Sequence, residues 1–570
     1  MTTTRERSRV RDPGRPSIPS RPALTADLAV VAMLVAVALL VAVAAMKPSP
    51  ISPTLPKGAG SGKALGSLAG MLGLQGWTGT HRADLSIVVM FVFAGAFLFG
   101  LREAWHGRLS SRKVLWFGIA LVVVATVVPL LESRDVYSYA LYGRIAGIYH
   151  RNPYVAIPRD FPNDSLYPFV GPVWRDTPAV YGPAFTMLSG LLARTTSSTV
   201  GLIWAFKLIG GAAAIGTLAL VAWIARRVAP GRAAFAVALF GWNPAIIAYA
   251  VGGGHNDLLV ALCIAGALAL LIKGGVFERI RAPGATAPTG WPRYELVAVG
   301  LLTLGTLVKA SAGPALVLAV VAGAAARPRG SRLRLVAIEA AVVVGLAVVF
   351  GAPFWQTKNP TLGVADLATH RGWVTAVRLL LATLGGIAEN LWGGAGRSAV
   401  EAVIRISVTL AAVAALVLIA IAVVRRTRGR AGASWSAPAE GAAWAWGMLV
   451  FILAAPVLLP WYVAWTLPVA WLLPRAGRNL VVALSCLLVV THSIANPVLS
   501  SRQYGFVLLV GHDVVGPIML VALVWAVLAA VRLARGRLPL EDPTLGGGVL
   551  GRPATAAAER QRVAAGTDGD

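Results

Sequence analysis

The sequence predicts an all-α polytopic membrane protein, and three observations predict it. The chain of 570 residues is 57% hydrophobic and only 13% charged, a balance foreign to soluble domains of this length. Its apolar residues are gathered in blocks near the ~20 residues that a helix needs to cross a hydrocarbon core. Its net charge of +27 is concentrated between those blocks.

In chain order the blocks are 28–46, 85–101, 114–131, 200–225, 233–250, 257–272, 295–308, 312–326, 335–352, 400–424, 442–459, 461–473, 479–495 and 514–531, about fourteen spans (12–14). Leu28–Met46 is the first. It follows a basic stretch and contains Ala42-Val43-Ala44, a pattern that also suits a cleaved signal. Its length, with no secreted domain behind it, favours a retained helix. The stretch from Glu295 to Ala326 is too long for one helix and short for two. Lys309-Ala310-Ser311-Ala312-Gly313-Pro314 interrupts it, so two short helices should meet at a polar tip. Cys263 and Cys486 both lie inside spans and read as small packing residues rather than a disulfide.

The basic residues fall on alternate sides of these spans. The N-terminal tail carries Arg5, Arg7, Arg9, Arg11, Arg15 and Arg21. Clusters follow at 102–113, 226–232, 273–293, 327–334, 425–430 and 475–478, then in the tail after Val531; together they hold 33 of the 51 Lys and Arg. The positive-inside rule places all of them, and both termini, in the cytoplasm. The basicity therefore reports topology and attraction to anionic lipid, not nucleic-acid binding. The organisation that follows is a basic cytoplasmic tail at 1–27, N-terminal helices at 28–113, a module at 114–352 with an outer loop at 132–199, a second outer loop at 353–399, C-terminal helices at 400–531 and a Gly/Ala/Pro-rich cytoplasmic tail at 532–570, expected to be disordered.

With that orientation the loops richest in aromatics, prolines and acids lie outside, and any chemistry is expected there. Loop 132–199 contains Ser133-Arg134-Asp135-Val136-Tyr137-Ser138-Tyr139, Tyr142-Gly143-Arg144, Asn152-Pro153-Tyr154 and Tyr181-Gly182-Pro183. Asp135 reads either as the cap of a helix starting near Val136 or as a general base at the membrane surface; the neighbouring tyrosines suit a sugar. Gly254-His255-Asn256-Asp257 sits at the mouth of a span, where Asn256 or Asp257 should cap the helix beginning near Leu258. No second His stands at ligand spacing from His255, so no metal site is assigned. Lys309, at the hairpin tip, is a functional candidate as an intramembrane cation, against a lysine snorkelling to the surface. Pro460-Trp461-Tyr462 and Arg502 read as interface anchors. The second outer loop adds Lys358, Asp366, His370, Arg371 and Trp373.

Taken together, the tyrosine-rich Asp135 loop, Asn152-Pro153-Tyr154, Tyr181-Gly182-Pro183, Trp242-Asn243-Pro244, Gly254-His255-Asn256-Asp257 and the Lys309 hairpin resemble the actinobacterial polyprenyl-phosphate-mannose-dependent α-1,6-mannosyltransferases, members of the GT-C class of membrane glycosyltransferases. The resemblance runs from about Leu115 to Val531. It implies a GT-C-like fold with extracytoplasmic catalytic loops in the plasma membrane. It implies an inverting transfer of mannose from polyprenyl-phosphate-mannose to a lipomannan-like glycolipid. Asp135 would be the catalytic base. Lys309, Arg144 and Arg371 would hold the donor phosphate, and Tyr137, Tyr139, Tyr181, His255, Asn256 and Asp257 would line the substrate site. No cofactor is implied, the lipid-linked sugar being a substrate. The implied partners are membrane lipids, the donor and the mannan acceptor.

Two departures stand out. The Asp loop follows the third span where many relatives place it after the first. Many also carry an acidic pair, whereas Arg134 precedes Asp135 and only Glu132 is near, which leaves open a metal-independent reaction with one acid. A transporter or lipid flippase is the alternative, favoured by the broken helix at Lys309 but not by the long polar loop; a non-catalytic partner in envelope assembly is the third.

Overall fold

In lipid, a backbone satisfies its own polar groups most simply as helix, and helices are what these apolar blocks form. The protein is described by a computed structural model over residues 21–60, 67, 69–77, 79–281, 292–356, 359, 361–363, 374–428, 435–494 and 509–547. Among these residues the structure is helical, without strands.

Three helices, α1 (Arg21–Ala44), α2 (Gly79–Trp105) and α3 (Ser111–Val127), precede the Asp135 loop. The loop folds as two helices, α4 (Asp135–Gly147) and α5 (Pro183–Thr195), with three short 3₁₀ turns between them. Then come α6 (Thr199–Val228), α7 (Ala233–Gly241), a π turn at Ala245–Val251, and α8 (Asp257–Lys273). The hairpin expected around Lys309 is present as α9 (Arg293–Val308) and α10 (Gly313–Ala325), with Lys309 in extended conformation between them. α11 (Arg329–Gly351), α12 (Ala376–Arg428), α13 (Ala437–Ala454), α14 (Arg475–Ile494) and α15 (Gly516–Ala534) complete the bundle. Of α11, only Leu335, Glu339 and Gly351 are buried. Its exposed Val344, Val348 and Val349, like Leu410, Val413 and Val417 of α12, present the apolar surface that a bilayer solvates.

The expected count of about fourteen crossings is not confirmed, and the form of several blocks differs from expectation. Eight helices among the described residues are long and apolar enough to cross a membrane, or nine if the bent pair Pro230–Gly241 and Ala245–Val251 is one span. The blocks at 114–131, 257–272, 295–308 and 312–326 give helices of 17, 17, 16 and 13 residues, at or below the ~17-residue lower limit of a crossing. The block at 353–399, expected as a loop, is helical from Ala376, and α12 turns back at Gly393, whose φ is 67°. The block at 461–473 is no long helix. It is a 3₁₀ turn, Pro460–Trp465, followed by one turn of α-helix, Leu467–Ala470, and every residue from Pro460 to Pro474 is buried. Irregular backbone is tolerated at membrane depth when protein encloses it.

Described members of the basic clusters at 102–113, 226–232 and 475–478 meet at one end of the bundle. Thr25 of α1 donates to Glu103 of α2, which also pairs with Arg108 at 2.9 Å. The guanidinium groups of Arg232 and Arg478 lie 3.5 and 4.2 Å from the Trp105 ring centre, and Arg478 pairs with Asp542 at 2.6 Å. The site described next lies at the opposite end.

Candidate active site

Asp135 is the first residue of α4, and its backbone N–H donates to Ser133 Oγ at 3.1 Å. Its carboxylate does not cap the helix; Oδ2 stands 3.6 Å from His255 Nδ1. That length makes a contact rather than a hydrogen bond. Burial, then the charges of Lys309 and His492, hold the His255 imidazole well below its usual range, so it meets the carboxylate as a neutral ring. Burial raises the Asp135 carboxyl from 3.8 to about 6, Lys309 opposing and Asp257 adding to the rise. Asp135 keeps 16% of its side chain exposed while His255 and Asp257 keep none. Of these three groups, only Asp135 is reachable by a substrate.

The turn Gly252–Asp257 carries the second half of the site. Gly254 has φ 65°, and a Cβ there would meet Val136 of α4 at 2.9 Å, so glycine suits both the backbone and the close approach. Neither Asn256 nor Asp257 caps α8 as expected: Asn256 occupies the cap position without a side-chain bond. Asp257 Oδ1 instead accepts from Lys309 Nζ at 2.9 Å and from Trp465 Nε1 at 2.6 Å. Lys309 lies 4.4 Å from the Tyr462 ring centre and 5.3 Å from that of Trp465, a boxed ammonium rather than a snorkelling one.

The aromatic walls come from distant parts of the chain. Tyr139 O–H lies 3.3 Å from His255 Nδ1 and 3.4 Å from Asn256 Oδ1. The Tyr181 ring meets Tyr139 edge-on at 4.7 Å. Tyr154 of the Asn-Pro-Tyr motif donates to the Tyr181 carbonyl at 2.6 Å. Gly182 donates to Val308 O at 3.0 Å, one residue before Lys309; a Cβ there would lie 2.1 Å from Leu307 O. Trp461 stacks on His255 at 3.8 Å. The Pro460-Trp461-Tyr462 turn, read from sequence as an interface anchor, is therefore a wall of the site.

The expected residues divide accordingly. Asp135, Tyr139, Tyr181, His255, Asn256, Asp257 and Lys309 come together. Tyr137 does not join them; its hydroxyl donates to Thr54 O at 2.8 Å. Arg144 is not brought to them: it lies about two and a half turns along α4 from Asp135, and its guanidinium is engaged by Asp164 at 2.8 Å, Ser165 and Ser197 O. A cation so satisfied braces the loop. Arg371, like Lys358, Asp366, His370, Trp373 and Arg502, lies outside the described residues. Lys207, a charge inside an apolar span and thus visible by the rule applied to Lys309, was missed. It is buried and donates to Val128 O, Pro129 O and Gly252 O at 2.6, 3.1 and 3.2 Å, tying the end of α3 to the glycine turn.

Several buried polar atoms here have no partner: His255 Nε2, Asn256 Nδ2, Asp257 Oδ2, Ser311 Oγ and Trp461 Nε1. Each costs about 1–3 kcal/mol if left so. They are concentrated on segments that meet at Asp135, leaving free hydrogen-bonding capacity there. Among the described residues, no three His, Cys, Asp or Glu stand together as a group that could hold a metal ion.

Comparisons with known proteins bear on this geometry. Alpha-(1->6)-mannopyranosyltransferase A of Mycobacterium tuberculosis is 26% identical over 418 residues, covering 70% of this chain and 73% of its own length. A probable alpha-(1->6)-mannopyranosyltransferase of Mycolicibacterium smegmatis is 26% identical over 454 residues, covering 74% and 75%. An archaeal oligosaccharyltransferase from Archaeoglobus fulgidus, solved in complex with an inhibitory peptide and a dolichol-phosphate, aligns with TM-score 0.33 and 12% identity; the match covers 74% of this chain and 56% of that one. The family model described as alpha-(1->6)-mannopyranosyltransferase, N-terminal domain, matches residues 35–326, just over half of the chain and the part that carries Asp135, His255, Asp257 and Lys309. The chain belongs to the alpha-(1->6)-mannopyranosyltransferase family and is a membrane mannosyltransferase.

Proposed function

We propose that the protein transfers mannose from polyprenyl-phosphate-mannose to a mannan-type glycolipid, extending a lipomannan-like α-1,6 backbone. The framework is GT-C-like and the reaction takes place at the outer face of the plasma membrane, with both termini cytoplasmic. The observation that carries this reading is the partly exposed Asp135 carboxylate beside the buried Asp257–Lys309 pair, at the end of the bundle away from the basic clusters. The positive-inside rule supports the orientation.

In this mechanism Asp135 takes the proton of the acceptor hydroxyl as its oxygen attacks the anomeric carbon. The bond from that carbon to the phosphate oxygen breaks, and its electron pair leaves on the lipid phosphate. Inversion through an oxocarbenium-like state gives the α product from a β-configured donor. Lys309, with two ammonium protons left after its bond to Asp257, stabilises the charge building on the phosphate. Tyr139, Tyr181 and His255 shape the sugar site and restrict water. The transporter alternative is not favoured by the family match.

The test uses membranes supplied with polyprenyl-phosphate-mannose and a mannan acceptor. Wild type should transfer mannose, and Asp135→Asn at equal expression should lose about 10²–10⁴-fold. Full activity in Asp135→Asn would remove the assignment.

A further inference from the structure

The His255 ring is covered on one face by Trp461, with ring centres 3.8 Å apart and planes 20° apart. Trp461 is itself buried. It meets His492 of α14 edge-on at 5.7 Å, and His492 meets Tyr249 of the π turn in the same way at 5.5 Å. His492 lines a cavity of about 620 Å³, which Lys47, Glu132 and Arg134 also line and which is roomy enough for many waters. From that cavity inward the contacts run His492, Trp461, His255 and then Asp135, whose Oδ2 stands 3.6 Å from His255 Nδ1. The other groups around His255 that carry or can take a charge are Tyr139 of α4, Lys207 of α6 behind the glycine turn, Asp257 at the start of α8, Lys309 at the hairpin tip and Tyr462 beside Trp461.

The stack matters because of what a wet imidazole would do there. A protonated ring in contact with Asp135 would hold the carboxylate as an anion and weaken it as a base; an opposite charge within ~4–6 Å lowers a carboxyl by about 1–3 pH units. A neutral ring leaves Asp135 at the strength that burial gives it, near pH 6, where a general base works well. Burial is the largest of the causes that keep the imidazole neutral, and Trp461 supplies it over a whole ring face. The indole does so with its own N–H unpaired, a cost that a ring without a donor would not carry. It is therefore the face of Trp461, not its donor, that engages His255.

We propose that Trp461 is a positioning residue of the transfer reaction: by stacking on His255 and closing it off from the cavity behind His492, it sets the surroundings in which Asp135 accepts a proton. The inference rests on the role given to Asp135 above and deepens it. It gives Trp461 no contact with substrate.

The experiment uses the full-length protein in nanodiscs. It measures the pH–rate profile of mannose transfer and, separately, the labelling of His255 by diethyl pyrocarbonate, read by peptide mass spectrometry. Trp461→Leu keeps apolar bulk but no ring, so water reaches His255 and the imidazole can take a proton. Its acidic limb should move to lower pH by about one unit, with a lower kcat and an unchanged KM for donor, and His255 should be labelled where wild type is not. Trp461→Phe keeps a stacked face and should keep both the limb and the protection. His492→Leu, on another element, removes the support behind Trp461 and should move the limb the same way, so the result does not depend on one variant folding. In a His255→Gln background Trp461→Leu should leave the limb where it is, since no ring remains to be charged. A limb that stays in place in both Trp461→Leu and His492→Leu, or that moves equally without His255, overturns the proposal. Full transfer by Asp135→Asn removes the base itself; His255 labelled only in Trp461→Leu then still identifies Trp461 as its cover. Equal labelling in wild type and variant, with Asp135→Asn inactive, overturns the inference and leaves the base standing.

Discussion

At Asp135 two forces act against each other. Position at a helix N-terminus favours the anion by a few tenths to 1 kcal/mol, and Lys309 adds to it, yet burial wins and the carboxyl titrates at about 6. A base works deprotonated, so donor turnover should fall about tenfold per pH unit below 6 and level off above it. Removing the Lys309 charge takes away the largest of the effects that hold the proton off Asp135. In Lys309→Met the acidic limb of the pH–rate profile should therefore move to higher pH, along with a lower maximal rate; a limb that stays in place would separate the two groups. Asp135, His255 and Lys309 were legible in sequence because charge or imidazole among apolar residues has few reasons to exist. Trp461, Tyr462 and Trp465 were not, since aromatic belts at any membrane interface look the same. The placement of Arg144 was not legible, because its partner Asp164, 20 residues on, becomes visible only after the loop folds.

Between elements, the site depends on close approaches that one atom would spoil. Gly182 lies against the Leu307 carbonyl, so Gly182→Ala must push the start of α5 away from the Lys309 tip and carry Tyr181 with it. The expected result is about 1–3 kcal/mol of lost stability from overpacking, with a fall in kcat of about tenfold; unchanged kinetics would show that Tyr181 has no positioning role. Lys207→Met leaves three buried carbonyls without their shared donor. Gly252 O keeps the Leu131 N–H, so the unfolding midpoint should fall by an amount corresponding to about 1–3 kcal/mol for each of the other two, Val128 O and Pro129 O, read by thermal melting in detergent. Hydropathy located the elements well where a block met lipid, as in α1, α6 and α15. It misled at 461–473 because an apolar run reports burial and says nothing of backbone form.

Over the whole molecule, chemistry and anchorage occupy opposite ends. The basic end is held by Arg478 and Asp542, both nearly fully buried. Breaking such a pair costs about 3–5 kcal/mol because one charge is left alone. Arg478→Ala should accordingly lower thermal stability while leaving the KM for donor unchanged in the protein that remains folded. A changed KM would mean that the two ends communicate. The division itself was legible from the alternation of basic clusters along the chain. The count of crossings was not, because short helices and enclosed irregular segments share the composition of true spans.

The enclosed stretch from Pro460 to Pro474 has a consequence for how the protein is made. A helix satisfies its own peptide groups and partitions into the bilayer alone, but this stretch would expose unpaired peptide groups to hydrocarbon, at several kcal/mol each. It cannot leave the insertion machinery as an independent unit. α13 and α14 must reach the membrane with their connector still sheltered, and the connector settles only once α8 and the π turn have formed the cleft that receives it. Trp461 and Trp465 would then be among the last side chains to arrive, so that the site closes around His255 and Lys309 at the end of biogenesis.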